Sequence, residues 1–240
     1  MAKVSRRSVL VAALAALLIP AAAALSACGD DGDSTATAPD PTELVGKTFV
    51  SESVSATEIP GGGPLEVLML KRSAESHFMP SVWVFPGGSL DPEDGEGLDG
   101  LRTCAARELH EEAGIQIDLS TELIALARWV TPEVVKTRFD TWFFLARAPE
   151  GVEVKPDNFE MTEALWINPL DALTAAEAGD MAIVFPTLKQ LEALAPSAHT
   201  DEAMERAAAD PNASRAILPK VIGDEQNPRV VLPHEDDYPD

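Results

Sequence analysis

The chain has 240 residues, of which 45% are hydrophobic, 24% charged and 5% aromatic, a globular balance that argues against collagen, wholesale disorder and a multi-pass membrane protein. Acidic side chains number 40 against 18 basic ones, a formal charge of −22 that would repel a nucleic-acid polyanion and argues against duplex DNA as a partner. Two cysteines, Cys28 and Cys104, and four scattered histidines supply neither a disulfide framework nor a zinc-type spacing, and the length suits one domain.

At the N-terminus Lys3, Arg6 and Arg7 precede Val9 to Ala27, a run of 19 residues without a charge. A basic start followed by an apolar run is the plan of a secretory signal peptide. The run closes in Leu25-Ser26-Ala27-Cys28, which resembles a bacterial lipobox. A signal peptide over residues 1–27 is therefore expected to be cut away and Cys28 lipidated, tying the protein to the extracytoplasmic face of the bacterial cell membrane. A retained anchor is the other reading, because 19 apolar residues can span a bilayer, but Pro20 and the small-residue tail favour cleavage. Ser5-Arg6-Arg7-Ser8-Val9-Leu10 also resembles a twin-arginine export signal. Residues 28–43, rich in Gly, Pro and Asp, are expected to form a flexible acidic linker, and the mature chain would carry about −25 once three basic groups leave.

The folded domain is expected over residues 44–195. Leu65 to Lys71, after Gly61-Gly62-Gly63-Pro64, and Val82 to Phe85, before Pro86-Gly87-Gly88, read as strands. Leu98 to Ala113 changes to a helical period. Leu123 to Val130 and Arg138 to Ala148 resume β character, and Ala164 to Ile167 reads as one more short strand. Pro169 to Ala178, with proline at a first turn, reads as a helix, and residues 186–209 as one or two more, split at Pro196. Residues 196–240 are expected to finish as a helical segment and an irregular acidic tail. Strands around one strong central helix, followed by a further strand and helix, imply an α/β (α+β) domain: a mixed sheet sandwiched between helices.

The densest chemistry lies in Arg107-Glu108-Leu109-His110-Glu111-Glu112-Ala113-Gly114-Ile115. At about 100° per residue, Glu111 falls about 60° to one side of Glu108 and Glu112 about 40° to the other, so three carboxylates share one helical face. Leu98, Ala105, Ala106, Leu109 and Ala113 form an adjoining arc able to pack on the sheet. Arg107, four residues before Glu111, neutralises part of the charge, and the remaining oxygen donors suit a hard ion, Mg2+ or Mn2+. Gly114 is placed to end the helix in a left-handed conformation. A solvated acidic face laced by Arg–Glu pairs would give the same short pattern. Upstream, Phe85-Pro86-Gly87-Gly88 is a strand ending in a glycine loop that lets a phosphate or the helix come close.

These segments together resemble the Nudix hydrolase family, whose signature reads Gly, five residues, Glu, seven residues, then Arg-Glu-apolar-any-Glu-Glu-any-Gly-apolar. Residues 107–115 match the second half at each fixed position. Counting back eight from Arg107 reaches Asp99 where the signature has Glu, and Gly88 to Asp99 encloses ten residues instead of five; the loop Leu90 to Gly97 would absorb the extra length. Further similarity covers roughly residues 65–195, including Phe78-Met79-Pro80, Arg128-Trp129-Val130-Thr131-Pro132-Glu133 and Arg138-Phe139-Asp140-Thr141. It is similar to the branch holding the peroxisomal coenzyme A diphosphatases and their bacterial relatives, although Ser76 to Val82 lacks the Arg and Gly of a coenzyme A motif.

The resemblance implies hydrolysis of a diphosphate linkage in a small molecule, usually a nucleoside derivative, and no nucleic-acid partner. It implies Glu108, Glu111 and Glu112 as ligands of Mg2+ or Mn2+, and Arg107 as the residue that orients Glu111 for catalysis. It also implies Glu160 or Glu163 as general base, and Gly87 and Gly88 as the place where substrate approaches. Trp83, Trp129 and Trp142 are candidates to stack on a base, Trp83 first, and Asp140 either faces the pocket or forms a strand-face ion pair with Arg138 or a neighbour. The alternative is a Nudix-fold lipoprotein that binds such a ligand without hydrolysing it.

Overall fold

Alternation along two strands decides the architecture. In Val67–Arg72, Val67 and Met69 belong to one buried cluster and Leu68 and Leu70 to another; in Asp140–Ala148, Phe143 and Leu145 join the first and Phe144, Ala146 and Ala148 the second. A sheet that is apolar on both faces must be covered on both. The computed structural model describes residues 7–16, 57–58, 65–76, 78–117, 123–135, 138–149, 151–224 and 227–239.

The strands in chain order are β1 (Arg7–Ala16), β2 (Thr57–Glu58), β3 (Val67–Arg72), β4 (Trp83–Val84), β5 (Ile124–Val130), β6 (Asp140–Ala148), β7 (Met161–Ile167), β8 (Ala216–Ile217), β9 (Lys220–Asp224) and β10 (Asn227–Val231). The helices are α1 (Gly97–Ala113), α2 (Pro169–Ala178), α3 (Phe185–Leu194) and α4 (Thr200–Ala209). One mixed sheet runs β4-β3-β1-β6-β5-β8, with β2 on β1 and β7 on β3, and β9 and β10 form a separate hairpin. Helix α1 covers one face through Leu101, Cys104, Ala105, Leu109 and Ala113. The other face is covered by Ala172 of α2, by Leu188, Leu191 and Leu194 of α3, and by Ala203, Met204 and Ala207 of α4. The expected sandwich is the observed one.

Most expected elements fall within a few residues of their places, and α2 matches at both ends. Asn168 caps it by accepting from the Leu170 N–H at 2.9 Å, and Pro169 fills the first turn. Residues 196–240 differ from the expectation. The expected helical segment is α4, but the expected irregular tail holds structure: Leu232 joins the core with α4, β8 pairs with the edge of β5, and β9 and β10 form a hairpin.

The leader expectation also meets a different placement. Residues 7–16 run antiparallel to β6, from Ser8 opposite Ala148 to Ala16 opposite Asp140, and touch β3 in parallel at Val9 opposite Val67. An uncharged apolar run suits a strand flanked on both edges as well as it suits the apolar stretch of a leader, so composition alone does not separate the two. Lys3, Arg6, Cys28, the 28–43 linker and the expected start at Leu44 lie outside the described residues. Among the described residues no helix is long and apolar enough to cross a membrane.

Candidate active site

Helix α1 ends as the sequence requires: Gly114 takes a left-handed φ of 67° and its N–H bonds the His110 carbonyl at 2.9 Å. One turn earlier the three glutamates stand at three depths. Glu112 is 5% exposed, Glu108 is largely covered, and Glu111 faces solvent. The shared face inferred from helical spacing therefore carries a gradient of burial.

Burial pushes Glu112 up to about 8, with the charges of Glu108 and Glu160 adding to it and the Gly87 N–H and Arg72 opposing. That N–H donates to Glu112 Oε2 at 2.8 Å. Glu108 is raised for the same first reason, burial, with Arg107 opposing and Glu111 and Glu160 adding. Glu108 and Glu112 are thus both held above the ordinary carboxylate value beside the Gly87-Gly88 loop.

Burial of Glu112 also makes the stability of the fold depend on pH. Its ordinary value is 4.5 and its folded value about 8, so between those limits the folded chain holds a proton that the unfolded chain has lost. Stability from this group is complete below the lower value and falls as pH rises to the upper one, by about 1.4 kcal/mol per pH unit. Thermal melts in chelator from pH 5 to 9 should show the midpoint falling across this window.

Gly88 has a steric reason to lack a side chain, since a Cβ there would lie 2.3 Å from Glu108 Oε1. The atoms in its way are the far end of a flexible side chain. Gly88→Ala is therefore expected to keep the fold, with a melting midpoint within a few degrees, while displacing the Glu108 carboxylate and lowering activity by about 10- to 100-fold. Unchanged turnover in that variant would count against Glu108 as a working group.

Arg107 is the centre of the local network. Its Nη1 donates to Glu108 Oε1 at 2.9 Å and to Glu111 Oε2 at 3.0 Å. Its Nε and Nη2 grip Asp94 through Oδ1 at 3.0 Å and Oδ2 at 2.9 Å, and Nη2 also meets the Ser89 carbonyl at 3.0 Å. Arg107 accordingly holds the Asp94 carboxyl below its ordinary value. Asp94 closes a short 3-10 turn, Pro92–Asp94, by accepting from the Asp91 N–H at 2.9 Å.

Asp94, not Asp99, occupies the place of the signature acid. Asp99 points into solvent, 96% exposed, and pairs with Arg102 at 3.0 Å. Gly88 followed by five residues lands on Asp94, so counting forward from the glycine finds it and counting back from Arg107 does not. The five extra residues fall between Asp94 and Arg107, where Gly95 and Glu96 link the turn to α1 and the rest lengthen the start of the helix.

Of the two candidate bases, the structure brings Glu160 to the cluster and leaves Glu163 away from it. Glu160 lies just before β7; its N–H donates to Asp157 Oδ1 and Oδ2, both at 3.1 Å, and its carbonyl accepts from the Ser73 N–H at 2.7 Å. Its charge is felt by both Glu108 and Glu112. Glu163 sits opposite Lys71 in the β3–β7 ladder and is paired with its Nζ at 2.7 Å, and Lys71 lies over the Trp83 ring.

Trp83 is likewise corrected. It is a core residue of the layer away from α1. Trp129 is buried edge-on against Phe185, and Trp142 stacks on Phe144 beneath the Arg128 guanidinium. Asp140 pairs with Arg128, at 2.8 and 2.5 Å, rather than with Arg138. Sequence reasoning passed over Arg72, whose charge opposes the rise at Glu112, and Asp157, whose carboxylate gathers the N–H groups of Phe159, Glu160 and Met161.

Fitness for a divalent ion rests on donor chemistry. Glu108, Glu111, Glu112 and Glu160 offer only carboxylate oxygen, and glycine leaves room for Glu108. Among the described residues, no three His, Cys, Asp or Glu side chains already converge as a metal cage. The Arg107 guanidinium and the Gly87 N–H hold these carboxylates, so ion binding would exchange those hydrogen bonds for coordination.

A NUDIX domain model matches residues 53–188. The chain belongs to the Nudix family. This Nudix chain is 30% identical over 162 residues to a Caenorhabditis elegans protein named nudix hydrolase 7, covering 53% of this chain and 55% of that one. It is 25% identical to the acyl-coenzyme A diphosphatase NUDT19 of Xenopus laevis, over 54% of this chain and 59% of the relative. It is also 27% identical to the m7GpppN-mRNA hydrolase NUDT17 of Bos taurus, over 48% and 40%. The Nudix chain thus spans about half the length of the curated relatives it matches. A solved NUDIX hydrolase from Alicyclobacillus acidocaldarius superposes with a TM-score of 0.55 at 21% identity, covering 85% of this chain and 97% of that one, a likeness of fold.

Proposed function

We propose that this Nudix protein is a metal-dependent hydrolase that cleaves a diphosphate linkage in a small nucleoside-diphosphate-type or coenzyme-like molecule. The observation that carries the reading is the packing of Glu108 and Glu112 against the Gly87-Gly88 loop, with Arg107 tethering the helix acids. A half-buried concentration of negative charge repels a diphosphate unless a cation intervenes. Glu108, Glu111 and Glu112 are assigned to hold Mg2+ or Mn2+, which when bound supplies neutralisation of phosphoryl charge and acidification of a water.

Glu160, with its backbone pinned at both ends, accepts the proton of the attacking water. The Gly87-Gly88 loop, free of side chains, lets a phosphoryl group close on Glu108. Relatives named for acyl-coenzyme A diphosphatase and m7GpppN-mRNA hydrolase activity support this class of chemistry. Purified protein with Mg2+ or Mn2+ is to be offered ADP-ribose, NADH, coenzyme A and dinucleoside polyphosphates. Release of phosphate or mononucleotide from at least one, absent in chelator, is expected. No release from any of them would leave the ligand-binding reading in its place.

We also propose, from the basic start, the apolar run and Leu25-Ser26-Ala27-Cys28, that the chain is exported and held at the membrane by Cys28. Residues 7–16 have one of two fates, since a cut before Cys28 removes β1 from between β3 and β6. Membrane fractionation of wild type beside Cys28→Ala, with the N-terminus read by intact mass, tests this. A soluble wild-type chain retaining residues 1–27 would end the lipoprotein proposal.

A further inference from the structure

Five large apolar side chains are exposed among the described residues, and three of them, Phe78, Val134 and Phe159, lie on loops outside the strands and helices. Phe78 is 43% exposed and Phe159 81%. Phe139, at the mouth of β6, meets Phe78 with ring centroids 5.4 Å apart and planes inclined at 54°. None of these three phenylalanines belongs to either core layer. Aromatic surface left in water without a packing role is the exception that calls for an explanation.

The topology brings them to one end of the sheet. β3 ends at Arg72, which stands opposite Met161 at the start of β7, directly after Phe159 and Glu160. The Ser73 N–H bonds the Glu160 carbonyl at 2.7 Å, joining the two loops. β1 runs parallel to β3 and antiparallel to β6, which sets Asp140, the first residue of β6, at the same end. Arg72 connects the aromatic residues to the chemistry. Its Nε donates to the Phe78 carbonyl at 3.1 Å, its Nη2 to Ser76 Oγ at 3.1 Å, and its charge acts on Glu112. Phe139 is fixed from the other side: its N–H donates to Thr131 Oγ1 at 2.9 Å, and its carbonyl accepts from the Thr131 N–H at 2.9 Å. Two rings on separately anchored loops therefore form one shelf, linked to the acids through Arg72.

We propose that Phe78 and Phe139, with Phe159 on the adjoining loop, receive the planar base of a nucleoside diphosphate whose diphosphate lies on the Glu108–Glu112–Glu160 cluster. The proposal rests on the hydrolase reading for the phosphate end, and on the rings alone for the base end. A flat heteroaromatic ring stacks on phenylalanine irrespective of its hydrogen-bonding edge, so the shelf selects for a base without choosing sharply among bases. It replaces Trp83, Trp129 and Trp142, which the fold uses elsewhere.

Saturation-transfer NMR with adenosine, a neutral probe the acidic cluster does not repel, tests the base end without catalysis. Wild-type protein is expected to saturate the H2 and H8 protons, and Phe78→Ala and Phe159→Ala to reduce that transfer several-fold at unchanged melting midpoints. With ADP-ribose as substrate, Phe78→Ala should raise KM roughly tenfold, the loss falling on KM rather than kcat. Because Phe159 is so exposed, its variant guards against a folding defect. Absence of transfer in wild type, or equal transfer in all three proteins, overturns the proposal. Adenosine transfer that depends on Phe78, in a protein that hydrolyses none of the diphosphates, upholds the shelf and ends the hydrolase reading. Hydrolysis of ADP-ribose with unaltered KM in Phe78→Ala does the reverse.

Discussion

Glu112→Gln is expected to lower turnover by about 10²- to 10⁴-fold and, at the same time, to make the metal-free protein more stable above pH 7. The two effects have one cause. Glu112 is buried and raised to about 8, so its charged form comes at a cost to the fold that a bound cation would offset. Glutamine keeps the acceptor for the Gly87 N–H, observed at 2.8 Å to Oε2, and removes the ionisation. The variant's melting midpoint in chelator should change little across the window in which the wild-type midpoint falls. Measuring both quantities matters, because a variant that merely misfolds loses activity and stability together.

Arg107→Ala should cost about 3–5 kcal/mol of stability, measured by denaturant unfolding, and most of the activity as well. Removing the guanidinium strands Asp94, whose side chain is 3% exposed, as a buried charge whose bidentate partner is gone. It also frees Glu108 and Glu111 from their shared donor. Arg107→Lys should recover little, since one ammonium cannot span both Asp94 oxygens while reaching the two glutamates. Asp99→Ala is the control: its side chain stands in solvent and its pair with Arg102 is a surface one, so the expected change is within about 0.5 kcal/mol. Equal losses from Arg107→Ala and Asp99→Ala would refute the assignment of Asp94 to the signature position.

Helix α1 and its acids were legible because a fixed 3.6-residue period ties position to direction, and Arg-Glu-Leu-His-Glu-Glu-Ala-Gly has no slack in it. Asp94 was obscured by an insertion, which breaks any argument counted from one end only. Glu163 and Trp83 illustrate strand parity. A residue's face depends on its ladder partner, and only pairing with Lys71 reveals that Glu163 points away from α1. The C-terminal hairpin was hidden by Pro228 and by acid-rich flanks, yet a two-stranded ribbon has free edges where proline does no harm. Residues 7–16 are the hardest case, since a leader and a strand flanked on both edges make the same demand on composition.

Glu112 and its neighbours are expected to exchange a proton and hydrogen bonds for a divalent cation. Titrating the purified chain with Mn2+ at pH 7 in two buffers of different ionisation enthalpy measures affinity and proton release together. Because Glu112 is still protonated at that pH, close to one proton should leave per ion bound, and Glu112→Gln should bind far more weakly and release almost none. Equal affinity and equal proton release in wild type and Glu112→Gln would contradict it.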